Sequence, residues 1–341
     1  MGMKKLPPRL ISLGKRLRKS SIRCLGVKPN WSDYPEELQK EILLADKICY
    51  PGPVYCEIFQ AAGVDVFPRN YYHFLGDKIA QTDLFNLLGI PHPRTRIYYG
   101  ASFGAAVEGG ATGIPQPRTG IYYGGERSGR IESDFSYPFV AKTPIGSSQG
   151  EGVFLIRCRE ELSHYLRTHN PAYIQEYLPI ERDLRVVVIE GNLVHAYWRI
   201  HGEGDFRNNV SRGGTVSFED IPAAALDFGV EVARKCGFDE VGLDICEHAG
   251  KYYVLEANMV FGQEGFRKKK LDIHQIIANL LDSGGLGTGG AGRDQQCLFT
   301  AEPGHSPVKE RTAEKVKTFL TGLTGFTGFK NLQFRGFGKK R

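Results

Sequence analysis

The chain has 341 residues, 41% of them hydrophobic and 24% charged, enough for two or three packed units, and no apolar run approaches the roughly 18 residues that a membrane-spanning helix needs. Its seven cysteines are scattered and form no CxxC pair, which argues against a disulfide framework or a zinc site and for reduced thiols in a cytoplasm. The net charge of +6 belongs to the ends: residues 1–30 carry +9 and residues 309–341 carry +7, which leaves −10 for the middle.

The first 21 residues, MGMKKLPPRLISLGKRLRKSS, are basic. Their apolar stretch at 10–13 is too short for a signal-peptide core, and Leu6 breaks the myristoylation pattern. They read as a flexible basic arm able to meet an anionic surface. Residues 22–70 read as a small α/β unit, with short strands over 22–27, 45–48 and 64–67 and helices over 35–44 and 54–62. From 77 to 88, DKIAQTDLFNLL sets Ile79, Leu84, Leu87 and Leu88 at helical spacing, and Gly89 ends the helix. GIPHPRTRIYYG (89–100) then recurs as GIPQPRTGIYYG (113–124), with two substitutions and a Gly/Ala-rich spacer between. A solenoid needs three or more stacked repeats, so the pair reads as a tandem duplication. One copy is expected to fill a strand and the other a loop, and the sequence does not say which.

In YPFVAKTPIGSSQGEGVFLI (137–156), Lys142 ends an apolar strand, and a Gly/Ser-rich loop and a second strand follow. Gly146, Gly150 and Gly152 permit close backbone approach, and Ser147, Ser148 and backbone N–H groups can donate to phosphate oxygens beside the Lys142 charge. It is not a Walker loop, because no GK[ST] follows and the chain returns to a strand. After a helix over 160–168 comes YIQEYLPIERDLR (173–185), where Gln175, Glu176, Tyr177 and Leu178 read as a hinge suited to an adenine edge. Asp183 and Arg185 share a face at the start of a strand over 184–189, and a turn brings back the strand 193–200 with Arg199. GDFRNNVSRGG then adds Arg207, Asn208, Asn209 and Arg212. A single arginine of this kind is ordinarily a solvated surface ion pair. Four of them with two asparagines around one sheet are harder to explain that way.

VGLDICEHAGKYYVLEAN (241–258) reads as a β-hairpin, with one arm ending at Asp244, a turn at 248–251 and a second strand over 252–258. Side chains alternate along a strand, so Glu256 and Asn258 leave one face, which Asp244 on the partner strand can reach. Two carboxylates and an amide oxygen form a hard, oxygen-only set of the kind Mg²⁺ accepts. Scattered acids on a polar edge strand are the alternative reading of this segment alone.

Taken in order, DKIAQTDLFNLLGIPHPRT, FVAKTPIGSSQGEGVFLI, IQEYLPIERDLRVVVIEGNLVHAYWRI, GDFRNNVSRGG, VGLDI and YVLEAN resemble the ATP-grasp superfamily, and within it the RimK-type branch of α-L-glutamate (amino-acid) ligases. The resemblance runs from about residue 70 to 283. It implies an α+β, α/β architecture in which two α+β lobes, about 71–174 and 175–283, clasp ATP behind the small α/β domain. It also implies that Lys78 and Lys142 contact nucleotide phosphates, that Glu176 and Tyr177 sit at the adenine and Asp183 at the ribose, and that Arg207, Asn208 and Asn209 contribute to the nucleotide pocket. Asp244, Glu256 and Asn258 would hold Mg²⁺ (or Mn²⁺), and Arg185 and Arg199 would face the reacting phosphoryl and acyl groups. The implied activity is Mg²⁺-ATP-dependent joining of a carboxylate to an amine through an acyl phosphate, with a small-molecule or protein carboxylate as substrate and a homo-oligomer as the assembly.

Two features depart from the family pattern: the short region before the core, and the duplicated segment between Lys78 and Lys142. Either leaves room for a nucleotide-binding body without ligase activity, such as a regulatory or scaffold protein. A D-alanine–D-alanine or glutathione-synthetase-like ligase is the rival within enzymes. Residues 284–341 read as a Gly-rich linker and a disordered basic tail, whose interleaved aromatic and basic residues suit single-stranded nucleic acid or a ribosome as an alternative partner.

Overall fold

The computed structural model describes residues 9–100, 124–146, 152–200 and 215–283. Expectations for residues 1–8, for the second repeat copy, for Ser147, Ser148 and Gly150, for Arg207, Asn208 and Asn209, and for the linker and tail lie outside the described residues. The chain divides into two units, residues 1–34 with 45–287, and residues 35–44 with 288–341. Of the second unit, the described residues form one helix, α1 (Glu36–Leu43).

The first unit opens with a parallel sheet ordered β2-β1-β3-β4, from β1 (Leu10–Ser12), β2 (Arg23–Cys24), β3 (Lys47–Cys49) and β4 (Val66–Phe67). Helix α2 (Pro53–Ala61) makes the crossover from β3 to β4. The small α/β unit is therefore present, but β1, one of its two inner strands, comes from residues expected in a flexible arm. The reason is burial. Leu13 and Leu17 are 0% exposed, and sequestering each contributes roughly 2 kcal/mol. Arg16, read as an arm charge, is ion-paired with the buried carboxylate of Glu240, which also accepts a 2.7 Å hydrogen bond from the Tyr50 hydroxyl.

Helix α3 (Lys78–Leu88) follows, capped by the Asp77 carboxylate, which accepts from the Ala80 N–H at 2.9 Å, and closed by Gly89 at φ 63°. The first repeat copy supplies β5 (Thr95–Tyr98). Helix α4 (Gly124–Asp134), β6 (Phe139–Lys142), β7 (Val153–Ile156), α5 (Arg159–Thr168) and β8 (Ala172–Glu176) complete an antiparallel sheet ordered β5-β8-β6-β7. Tyr98, Phe139, Ala141, Ile156, Ala172 and Ile174 pack one face of this sheet against the two helices. Alternation therefore turns Lys142, Tyr173 and Gln175 to the opposite face.

The second lobe is a five-stranded sheet ordered β11-β10-β9-β12-β13, from β9 (Arg182–Ile189), β10 (Asn192–Ile200), β11 (Thr215–Ser217), β12 (Glu240–His248) and β13 (Lys251–Asn258). Leu184, Val186 and Val188 face helix α6 (Ala223–Cys236), which lies so close that a Cβ at Gly229 would stand 2.8 Å from Val186 Cγ1. On the other face Val187 and Ile189 meet Phe266 of α7 (Glu264–Lys268) and Ile277 of α8 (Ile273–Asp282). The turn between β12 and β13 falls where expected, with Ala249 and Gly250 at φ 50° and 72° as its two central residues, but β12 runs on to His248 rather than ending at Asp244. Residues 71–90, expected with the first lobe, pack instead with the five-stranded sheet, where Tyr71, Phe74, Phe85 and Ile90 join the α6 core. No helix among the described residues is long and apolar enough to cross a membrane, and the six described cysteines are unpaired.

Candidate nucleotide and metal site

Two lysines far apart in sequence meet because the start of α3 is hydrogen-bonded to the end of β6. The Lys78 N–H donates to the Pro144 carbonyl at 2.9 Å, and the Gly146 N–H donates to the Gly76 carbonyl at 3.1 Å. Both side chains are sequestered, Lys78 at 4% and Lys142 at 8% exposure. Lys78 Nζ pairs with Glu256 Oε1 at 3.1 Å, and Lys142 Nζ donates to the Leu255 carbonyl at 3.4 Å. Tyr165 holds the end of β6: its hydroxyl donates to the Lys142 carbonyl at 2.6 Å and accepts from the Tyr173 N–H at 3.1 Å. Burial pulls the Lys142 ammonium below its ordinary pKa; Glu256 opposes that pull and the Lys78 charge adds to it.

Lys78, Lys142 and Glu256, with Tyr173, Gln175 and the α3 side chain Gln81, line a cavity of about 10 Å³, room for one water. A nucleotide needs more room than the described residues enclose.

Beside this cavity the ladder assembles the second group. Asp244 stands opposite Arg185 on one side and Glu256 on the other, Asn258 is opposite Gly242, and Arg199 is opposite Asp183. All project from the face of the sheet away from α6. Arg185 Nε donates to Asp244 Oδ1 at 2.5 Å, Arg199 Nη2 lies 2.7 Å from Asp244 Oδ2, and Asn258 Nδ2 donates to Asp244 Oδ2 at 3.1 Å. Arg199 also grips both oxygens of Asp183 at 2.7 and 2.9 Å. Burial pushes the Asp244 carboxyl up, but the two guanidinium groups outweigh it and hold the carboxyl below its usual range. Asp183, which Arg199 partners, is raised by burial.

The structure thus brings together Lys78, Lys142, Asp183, Arg185, Arg199, Asp244, Glu256 and Asn258. Among the described residues no group of three or more His, Cys, Asp and Glu side chains is assembled, so the metal-type set is two carboxylates and one amide. That set is all oxygen and carries two negative charges, which fits Mg²⁺. Its present counter-ions are the Lys78 ammonium on Glu256 and the two arginines on Asp244. Glu176, expected at the adenine, accepts from the Arg94 N–H at 2.6 Å and so ties the start of β5 to the end of β8. Tyr177 follows it, half-buried, just past the end of β8. Sequence reasoning missed Gln81 and Tyr173, and it read Gln175 as part of an adenine hinge, whereas the side chain lines this cavity. Gln81 lies one helical turn from Lys78 and the other two alternate on β8, so periodicity from a placed lysine was the available signal.

Two lobes of this topology, with two lysines and an acid–acid–amide strand pair between them, define an ATP-grasp protein. Solved structures agree on the fold: the RimK domain ATP-grasp protein of Sphaerobacter thermophilus matches with a TM-score of 0.52 at 16% identity, over 80% of this chain and 98% of its own. The ATP-grasp ligase PsnB, complexed with a phosphomimetic variant of its minimal precursor, Mg and ADP, matches with a TM-score of 0.53 at 17% identity, over 81% and 98%. The RimK-like ATP-grasp domain model matches residues 110–281, half of the chain, and the protein belongs to that family. Among curated relatives, human beta-citrylglutamate synthase B is 32% identical over 44% of this chain and 42% of its own length. The probable alpha-L-glutamate ligase of Haemophilus ducreyi is 33% identical over 44% and 51%, and the ribosomal protein bS6–L-glutamate ligase of Salmonella paratyphi B is 32% identical over 38% and 45%. The chain matches about half the length of these relatives or less.

Proposed function

We propose that this protein is a Mg²⁺-ATP-dependent carboxylate–amine ligase that joins an amino acid, glutamate by analogy with its named relatives, to a small-molecule or protein carboxylate. The observation that carries this reading is the convergence of Lys78 and Lys142 with Glu256, Asp244 and the two arginines in one buried site. A carboxylate is a poor electrophile, so its oxygen first attacks the γ-phosphorus of ATP, the bond to ADP breaks, and an acyl phosphate forms. An amine then attacks the acyl carbon, inorganic phosphate leaves with the C–O bond, and a proton leaves the nitrogen. Such transfer depends on positioning and charge neutralisation rather than on a protein nucleophile.

Lys78 and Lys142 are the cations placed to hold phosphate oxygens, and their burial strengthens the interaction by excluding water. Arg185 and Arg199, fixed by Asp244 and Asp183, are placed to meet charge that develops on the transferred phosphoryl and acyl oxygens. Asp244, Glu256 and Asn258 would hold Mg²⁺, which supplies neutralisation of the phosphate charge. The test is ADP and phosphate release from Mg²⁺-ATP, screened over amino acids with di- and tricarboxylates and acidic peptides, with mass spectrometry of the products. Release that requires both an acid and an amine, with a condensed product, is the expected result. Tight ATP binding without turnover on any pair would replace this reading with a non-catalytic nucleotide-binding role.

A further inference from the structure

β13 is the edge of its sheet, so half of its backbone groups have no neighbouring strand. The strand also carries Glu256 and Asn258, and the register slips beside them, between Asp244 and Ile245. An edge strand next to an irregularity is free to twist about its own axis, and a twist at residue 257 would turn both ligand side chains away together. The outer edge is held at Val254, whose N–H donates to the Pro91 carbonyl at 2.9 Å, and at Leu255, whose carbonyl accepts from Lys142 Nζ at 3.4 Å; at residue 257 one side chain holds it. The Ala257 N–H donates to Gln81 Oε1 at 3.1 Å, and Gln81 Nε2 donates back to the Ala257 carbonyl at 2.7 Å. The second proton of Nε2 goes to the Phe74 carbonyl at 2.9 Å. Both donors of the carboxamide and its oxygen are therefore engaged, and the side chain is only 3% exposed to water. It presents a donor and an acceptor side by side, as the peptide of a neighbouring strand would.

We infer that Gln81 is a positioning residue for the metal-ligand strand: it substitutes for a missing sixth strand at Ala257 and so sets Glu256 and Asn258 in register with Lys78, one helical turn away on α3. The inference rests on the assignment of Glu256 and Asn258 as Mg²⁺ ligands. Glutamine suits the position where glutamate and methionine do not. An ionised glutamate has no proton for either carbonyl, and a methionine has neither donor nor strong acceptor.

The test uses the full chain and the isosteric Gln81→Met, with Mn²⁺ as the probe. Binding of Mn²⁺ in the presence of ADP is read from the electron paramagnetic resonance of the free ion, and binding of ADP in EDTA is read by calorimetry. Loss of a group that orients metal ligands typically weakens metal binding by about ten- to a hundredfold. That loss is expected for Mn²⁺, with ADP affinity in EDTA changed by no more than about threefold, since Lys78 and Lys142 remain. Unchanged Mn²⁺ affinity overturns the inference, as does a parallel loss of both affinities with thermal stability, which would mark Gln81 as a general packing residue. A wild-type chain that binds ADP but no Mn²⁺ removes the metal assignment itself, and the inference falls with it. Should Gln81→Met not fold, amide exchange in the wild type decides: the Ala257 N–H should be protected as the inner amides of β12 are, and exchange at the rate of an unpaired edge amide overturns the proposal.

Discussion

Asp244 and Glu256 face each other across one ladder rung and share a proposed metal role, yet their loss should affect stability very differently. Asp244→Asn removes the carboxylate that compensates Arg185, whose side chain is 5% exposed and pairs with Asp244, and that also shares Arg199 at 15% exposure. Breaking a buried ion pair from one side costs about 3–5 kcal/mol, because a charge is left uncompensated away from water. Asparagine keeps the volume and one acceptor, which places the expected loss near the lower end, about 3 kcal/mol. Glu256→Gln leaves a half-exposed position, at 29%, and retains an acceptor for Lys78, so about 1 kcal/mol is expected. With a urea m-value of about 3 kcal/mol/M, the unfolding midpoint should fall by about 1 M for Asp244→Asn and by about 0.3 M for Glu256→Gln. Both variants should lose ATP turnover. The assay is urea unfolding followed by circular dichroism, with ADP release measured on the same preparations. Equal midpoint shifts, or full turnover in Glu256→Gln, would refute the account of burial and charge given for this site.

Three further outcomes are expected. Lys142 binds phosphate only when charged, and its folded-state pKa lies below the ordinary 10.5, so nucleotide affinity should fall with rising pH before an ordinary lysine would lose its charge. In the same window the unfolded chain holds more protons than the folded one, so the stability of the nucleotide-free protein should rise; calorimetry and unfolding at stepped pH check both signs, and Lys142→Arg should abolish the drift. Arg16→Ala leaves the Glu240 side chain, 0% exposed, with the Tyr50 hydroxyl as its remaining side-chain partner among the described residues, and should cost about 3 kcal/mol in urea unfolding; a neutral result would return residues 10–21 to the status of an arm. Deletion of residues 89–112 brings the second repeat copy to the end of α3. That copy differs only at the positions of His92 and Arg96, so the shortened chain should fold and bind ATP, with the exposed Arg96–Asp134 pair lost at little cost to stability. An insoluble or non-binding product would show that the first copy is required.

The order of the motifs and the elements that carry most of the candidate site residues were legible locally, and the fold class followed from the family resemblance of those motifs. Helical spacing and the Asp77 and Gly89 caps marked α3, alternation put Glu256 and Asn258 on one face, and the small α/β unit followed from short apolar runs between turn signals. What local pattern left open was where long-range burial outweighs composition. Basic residues around 15–19 looked solvated, but Leu13 and Leu17 drew the segment into the core and Glu240 supplied the counter-charge. Two near-identical repeat copies carry the same strand propensity, so only the pairing of residues 95–98 with β8 decided that the first one fills β5. Glu176 has an acid's chemistry wherever it points, and only the fold shows that its carboxylate accepts from the Arg94 N–H at the start of β5. Sequence by itself determined which chemistry this chain carries, because side-chain type and short-range period are written residue by residue. Tertiary structure alone decided the partners, because the bonds from Lys78 to Pro144, from Gln81 to Ala257 and from Arg199 to Asp183 and Asp244 join segments whose separation along the chain hides their meeting in space.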